Sequence, residues 1–284
     1  MAREQQRNGP RRVAIVRGLR TPFAKAGTDF ARLTALDLGR MVVQEIVQRA
    51  DLDPNVIDQV VFGQVIPTLT APSIAREVVL AAGLPRKIDA FTVARACATS
   101  IQAMTAAANA IALGQADVVL AGGTESMSDA PIFTSRPLAQ SLVAASKARS
   151  LGDKLKAFQT LKPRDLAPVP PAIAEYSTGQ TMGESAEKMA KENGISREEQ
   201  DAYAAESVRR AQAAIASGAF KAEIAPVTIA GRKGDVVVDT DEYIRDGVTI
   251  DGVGGVRPAF KKDGTVTAAN ASGLNDGAAA IVLM

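Results

Sequence analysis

Between Val13 and Gly123, short aliphatic runs alternate with segments of helical period, and this alternation constrains the fold more than any other feature. Val13–Val16 reads as a short buried strand, followed by the loop Gly18–Pro22. Thr34 with Asp37 three residues on is a capping-box-like helix start. Leu38, Met41, Val42, Glu45, Ile46 and Arg49 then repeat every 3.6 residues with the apolar groups on one side, which predicts a helix near 36–50. Next come a strand over Gln59–Phe62, a helix near 73–82 stopped by Gly83 and Pro85, and a strand over Phe91–Val93. An alanine-rich helix to Gly114 and a strand over Val118–Ala121, ending in Gly122 and Gly123, complete the series. Such alternation argues for a layered α/β domain with helices on both faces of its sheet.

The pattern breaks from about Asp129 to Lys262. Pro163, Pro168, Pro170 and Pro171 mark irregular chain, and Ser196 with Glu199 is a full capping box opening a long helix that stops at Gly218. Val236–Val238 reads as a hairpin strand. After Gly264 the α/β character returns, with strands expected over Thr265–Ala268 and Ala278–Met284. The expected organisation is a flexible N-terminus over 1–11, an α/β parent domain over 12–128 plus 263–284, and an inserted, mainly helical loop domain over 129–262. Ala278–Met284 should then pair in the same sheet as Val118–Ala121. The sequence stops on an apolar strand, whereas termini are usually exposed and polar, so a longer protein is expected.

Composition removes whole classes of function. The 33 Lys and Arg nearly balance the 31 Asp and Glu, which leaves no nucleic-acid footprint. The longest apolar run, Ala278–Met284, is far short of the ~20 residues of a membrane span. No apolar segment follows the basic start, so a frayed beginning is favoured there over a targeting peptide. With no histidine and one cysteine, the chain alone makes neither a histidine base, nor a histidine- or cysteine-cluster metal site, nor an internal disulfide, and a cytoplasmic location is expected.

The lone thiol is the best candidate for chemistry. Cys97 lies in Arg95-Ala-Cys-Ala-Thr-Ser100, at a strand-to-helix junction. A helix N-terminus, with its free N–H groups and partial positive charge, favours a thiolate. Small neighbours let the backbone approach a substrate, and the helix that follows is thin enough to be wholly buried. An inert core cysteine is an equally good reading of these residues alone.

The segment around Cys97 resembles the nucleophile segment of thiolases, and further blocks match that family in order. These are Arg20-Thr-Pro-Phe23, Gly122-Gly-Thr-Glu-Ser-Met-Ser128, Met182-Gly183 with Ala186-Glu187, Ile195-Ser-Arg-Glu-Glu-Gln-Asp201, and Arg257-Pro-Ala-Phe260 running into Gly264–Gly277. The Cys97 segment and Pro168–Ser177 are similar to the thiolase subunit of the fatty-acid β-oxidation multienzyme complex. Asp241–Arg245 and Asn270–Gly273 are closer to short-chain acetoacetyl-CoA thiolases.

The resemblance implies a thiolase-like layered α/β/α domain with a mixed sheet. It implies thiolysis of a 3-ketoacyl-CoA, or the reverse condensation, with Cys97 carrying the acyl group as a thioester until CoA removes it. Its backbone N–H would help bind the oxyanion, a contribution typically worth ~3–4 kcal/mol. The family's CoA contacts carry over onto Arg245, Phe260, Ala268 and Ser272. Arg245 would pair with the nucleotide end, Phe260 and Ala268 would line the pantetheine tunnel, and Ser272 would hydrogen-bond a pantetheine amide. Plainer readings make these a solvated charge, a core aromatic and a turn residue. CoA is a substrate here, and no covalently bound cofactor or metal is implied. Partners implied are acyl-CoA, CoA, a second copy in a homodimer, and a β-oxidation complex.

Three family elements are missing from these residues: a histidine in a Gly-His-Pro block, a second cysteine in a Cys-x-Gly-Gly block, and an asparagine in an Asn-Glu-Ala block. The match therefore covers only the first half of a thiolase, no catalytic base can be named, and the chain alone is expected to be catalytically incompetent. A non-catalytic acyl-CoA-binding or lipid-handling module on the same fold is the alternative, and a condensing synthase is the runner-up among enzymes. Lesser signals are a glycosylation-like Asn270-Ala-Ser272 and an acidic run of Asp235, Asp239, Asp241 and Glu242, read as a solvated hairpin. Residues 136–164 hold seven Lys or Arg, with Leu151, Leu155 and Phe158 at helical spacing. They suit a weak membrane-surface contact, a cover over an acyl tunnel, or a partner contact.

Overall fold

The computed structural model describes residues 11–231, 234–244 and 247–284. Contacts divide the chain into two compact units, Met1–Asp129 with Gly183–Met284, and Ala130–Met182. Of the excursion expected over 129–262, residues 183–262 thus belong to the unit that contains the sheet.

In the first unit the elements run β1 (Ile15–Arg20), β2 (Ala24–Lys25), α1 (Ala35–Arg49), β3 (Gln59–Gly63), α2 (Ile74–Ala81), β4 (Asp89–Val93), α3 (Thr99–Ala112) and β5 (Val119–Glu125). The second unit holds α4 (Arg136–Lys147) and α5 (Leu151–Lys156). The chain continues with α6 (Met182–Asn193), α7 (Arg197–Ser217), the hairpin β6 (Val227–Ile229) and β7 (Val236–Val238), α8 (Ile250–Gly254) and β8 (Asn275–Leu283).

The main sheet has the order β1-β8-β5-β3-β4, with β2 also pairing β8. β3, β4 and β5 are mutually parallel, while β8 runs antiparallel to both β5 and β1. Val119 faces Leu283 and Ala121 faces Ile281, so the last strand does join the sheet expected of it. Side chains alternate across the sheet, as the two-residue strand period demands. Val60, Phe62, Leu120 and Val282 meet Leu38, Val42, Ile74 and Val78 of α1 and α2 on one face. Val61, Val119, Ala121 and Leu283 meet Ala103, Ala107 and Ile111 of α3 on the other. The layered α/β/α arrangement with a mixed sheet follows, each buried aliphatic contributing ~1.5–3 kcal/mol.

The caps behave as their residues require. Thr34 and Asp37 form a capping box on α1, and Ser196 and Glu199 form one on α7. α7 ends at Gly218 with φ 72°, a left-handed position suited to glycine.

Several expectations need correction. The first strand begins at Ile15 and runs through Gly18 to Arg20, where a loop was expected, because β8 supplies ladder partners for those residues. β5 likewise continues through both glycines, which pair with β3 and β8, to Thr124 and Glu125, which pair with β8. Thr265–Ala268 is no strand: the Glu187 carboxylate takes the N–H groups of Thr265 and Val266, and Asn270 takes that of Thr267. α3 buries one face only, leaving Ile101 62% exposed. α5 ends at Lys156, short of Phe158, and Leu151 and Leu155 are exposed. Of the expected flexible start, Arg11 is tied to Asp117 at 2.6 Å, and residues 1–10 lie outside the described residues.

The acidic run is also no solvated hairpin throughout. Asp241 is half-buried and takes both terminal nitrogens of Arg20 at 2.7 and 2.9 Å, while Glu223 takes Nε at 2.8 Å. Glu242 accepts the Lys25 N–H at 2.9 Å. The Arg20 block therefore ties the β1–β2 corner to the segment after β7.

Two measurements test this packing. A Cβ at Gly122 would strike the Ala279 carbonyl and the Phe62 ring, so Gly122→Ala should lower unfolding free energy by about 1–3 kcal/mol in urea titrations. Burial alone would raise the Glu187 pKa, but the Thr265 and Val266 donors and nearby Lys261 hold it below its ordinary 4.5. A depressed carboxylate contributes stability above its unfolded value, and that contribution is lost as pH falls through the folded value. Stability should therefore fall on acidification below 4.5, and Glu187→Gln should shrink that fall in urea midpoints measured across the range.

Candidate functional site

Cys97 lies in the turn between β4 and α3, two residues ahead of the first helical residue, and it is exposed. The core-cysteine reading is thereby set aside. The turn is tightly held. Thr99 Oγ1 accepts the Arg95 N–H at 2.7 Å and donates to the Ala96 carbonyl at 2.6 Å. Ala98 and Thr99 N–H groups donate to the Arg95 and Ala96 carbonyls at 3.0 and 3.1 Å. Ala96 sits at φ 45°, a left-handed conformation that costs a non-glycine residue about 1–3 kcal/mol and persists only where neighbours overdetermine it. Arg95 adds a bond from its guanidinium to Gln102 Oε1 at 2.7 Å.

Missing side chains explain how close this turn comes to the sheet. A Cβ at Gly63 would collide with Thr99 Cγ2, and one at Gly123 with Ser100 Oγ. Glycine at the end of β3 and two residues before the end of β5 thus lets the start of α3 settle onto the carboxyl ends of the parallel strands, where open α/β sheets place ligand sites.

A cleft of about 230 Å³ opens there. Its walls come from the Cys97 turn and the start of α3, the 63–65 segment after β3, the 123–125 end of β5, Gly277–Ala279 of β8, and Phe23. The polar groups on it include Gln64, Thr124 and Glu125. Glu125 Oε2 accepts the N–H groups of Val65 and Ile66 at 2.8 and 3.2 Å, and its Oε1 is buried without a hydrogen bond. Burial raises the Glu125 pKa, with the like charge of Asp276 adding to the rise and the two N–H donors and the nearby Gln64 side chain opposing it. Glu125 belongs to a block matched as a whole; its burial had no signal in the sequence. A larger cavity of about 310 Å³, bordered by Arg49, Phe220 and Asp241, lies away from the thiol.

Phe260, Ala268 and Ser272 do not line the Cys97 cleft. They lie on a segment folded back on itself, with the Ala259 N–H bonded to the Val266 carbonyl at 3.0 Å. All three are exposed; Phe260 lies against Gly183 and is no core aromatic. Arg245 lies outside the described residues. The Asn270 amide is engaged by Asp201 and the Thr265 carbonyl at 2.8 and 3.0 Å, a structural use that argues against glycosylation. Among the described residues no group of three or more His, Cys, Asp or Glu is placed to hold a metal, and no helix is long and apolar enough to cross a membrane.

The family model described as "Thiolase, N-terminal domain" matches residues 13–284. A 3-ketoacyl-CoA thiolase of Pseudoalteromonas translucida is 49% identical over 274 residues, 96% of this chain and 62% of the relative. One of Photobacterium profundum is 50% identical over the same shares. The crystal structure of the Bacillus anthracis acetyl-CoA acetyltransferase superposes with a TM-score of 0.85 at 36% identity, covering 98% of this chain and 66% of that one. The chain thus spans about 62% of the length of the curated relatives it matches.

The Thr99 hydroxyl offers a test of the turn. Thr99→Val keeps the shape but removes both bonds, and should cost about 1–3 kcal/mol in denaturant unfolding, whereas Thr99→Ser should cost less than half as much.

Proposed function

Because this chain belongs to the thiolase family, whose N-terminal domain it carries, we propose that it supplies the nucleophile half of a 3-ketoacyl-CoA thiolase. The observation that carries this reading is the exposed Cys97 thiol, presented on a fixed turn at the mouth of a cleft. A lone cysteine serving only to pack would be buried among apolar neighbours.

In this reading Cys97 Sγ attacks the 3-keto carbon, and the bond to the α-carbon breaks. Acetyl-CoA leaves as its enolate and takes up a proton, with the acyl group held on sulfur. CoA, giving up its thiol proton, then attacks the acyl carbonyl; the Cys97–acyl bond breaks, acyl-CoA leaves, and that proton returns to the Cys97 sulfur. The Cys97 backbone N–H stabilises the oxyanion of each tetrahedral intermediate. Arg245, Phe260, Ala268 and Ser272 contact CoA, which binds as substrate. The exposed Phe260, Ala268 and Ser272 support that assignment by being open to a ligand.

Proton transfer has no assigned group here. With no histidine and one cysteine in the sequence, the acid–base groups typical of thiolases come from outside these residues. Assembly as a homodimer within a β-oxidation complex in the cytoplasm completes the proposal. The homodimer is supported by the edge strand β4, whose outer side is unpaired among the described residues. The exposed Leu151 and Leu155 beside Lys154 and Lys156 support a weak membrane-surface contact through 136–164.

Two outcomes test the proposal. The 284-residue chain should take up one acyl group from a thioester at Cys97, seen as a mass increase that Cys97→Ala abolishes, yet should thiolyse acetoacetyl-CoA at least about 10⁴-fold more slowly than a complete thiolase. Comparable turnover would place a base within these residues and refute the assignment. In a complete protein, Arg245→Ala and Ser272→Ala should weaken CoA binding while sparing acylation by a small CoA-free thioester; unchanged CoA affinity would remove both from the site.

A further inference from the structure

Glu125 ends β5 at the Cys97 cleft, and the thiolase chemistry above gives it no task. Its carboxylate is divided in use. Oε2 takes the N–H groups of Val65 and Ile66, while Oε1 is sealed from solvent and makes no hydrogen bond. Leaving a buried carboxylate oxygen unpartnered is unfavourable, and such groups are rare enough to need a reason. The segment that Oε2 holds is the stretch just past the end of β3, where the sheet ladder stops and Val65 and Ile66 no longer have strand neighbours. Gln64 and Val65 of that stretch form the cleft wall near Cys97. The one carboxylate oxygen is thus what satisfies both N–H groups and sets the position of the wall.

We infer that Glu125 is a positioning residue for the acyl site, fastening the 64–66 wall against which the acyl group of a thioester lies while Cys97 attacks it. This inference rests on the reading of Cys97 as acyl acceptor. The role needs an acceptor oxygen at that distance from β5 and needs no charge, so glutamine should fill it. Alanine lacks the acceptor, and aspartate is one methylene too short to reach both N–H groups.

The experiment uses the 284-residue chain and the acetyl thioester of N-acetylcysteamine. The Cys97 sulfur displaces the thiol of the probe, forming the S–acetyl bond, and the thiol proton leaves with the released N-acetylcysteamine. Acetylation is followed by mass over a range of probe concentrations, to separate the half-saturating concentration from the limiting rate. Alkylation by iodoacetamide, which needs no acyl pocket, is followed in parallel. Glu125→Ala and Glu125→Asp should each raise the half-saturating concentration about tenfold, the loss of a hydrogen bond to a charged group, with iodoacetamide alkylation within about twofold of the unsubstituted chain. Glu125→Gln should restore acetylation. Glu125→Asp keeps the carboxyl and so carries the test if the alanine variant fails to fold. Unchanged acetylation in both shortened variants, an equal loss of acetylation and alkylation, or a glutamine variant as impaired as alanine would overturn the inference. If the unsubstituted chain takes up no acetyl group while iodoacetamide still alkylates Cys97, the acyl-acceptor reading itself fails and takes this inference with it.

Discussion

Strand β8 is the element on which the rest depends. It lies between β1 and β5, antiparallel to both, and also pairs β2. Without it the parallel β3–β4–β5 set would end at β5, and β1 would have no partner in the sheet. It also builds the site, because Gly277–Ala279 form one wall of the Cys97 cleft and the preceding Asp276 anchors Ser128 through its N–H at 3.0 Å and its hydroxyl. The approach of β8 to β5 is permitted by Gly122, whose missing Cβ leaves room for the Ala279 carbonyl and the Phe62 ring. A contact between residues more than 150 positions apart thus fixes both the middle of the sheet and the rim of the cleft.

Much of this architecture was legible because local and global signals agree. The α1 period, its Thr34 cap, the α7 capping box and the aliphatic runs of β3 and β5 each point to the element that forms. The misread elements are those whose hydrogen bonds are decided at long range. Gly18 and Arg20 look like loop residues and become strand because β8 arrives from the far end of the chain. Thr265–Ala268 has strand composition, yet its N–H groups are taken by Glu187 and Asn270. No propensity argument contains those partners.

The site divides in the same way. The thiol and its strand-to-helix setting were readable from Arg95–Ser100, and the resemblance to thiolases singled out Cys97. The surroundings that make the setting work were not readable. Gly63 and Gly123 count in the sequence only as small residues. In three dimensions they are the absent side chains that admit Thr99 and Ser100. Arg20 and Asp241, separated by most of the chain, read as a motif residue and a surface acid, and become a bidentate, part-buried pair.

The Cys97 turn is built to fix the position of its thiol. Left-handed Ala96 costs about 1–3 kcal/mol. The two Thr99 hydroxyl bonds and the two turn N–H bonds, at about 1 kcal/mol each, are of the size needed to offset it. Those bonds are local, running between residues no more than four apart, so the turn can form from the chain's own segment once α3 has docked on the sheet. Glycines at 63 and 123 then set its depth. A fixed sulfur position is a geometric requirement that one α/β domain meets alone, through backbone bonds and missing side chains. The histidine and second cysteine that the resemblance to thiolases implies for proton transfer have no counterpart in a sequence with no histidine and one cysteine. Placement and proton transfer are thus separable demands, and the structure meets the first with the 95–100 turn seated on Gly63 and Gly123.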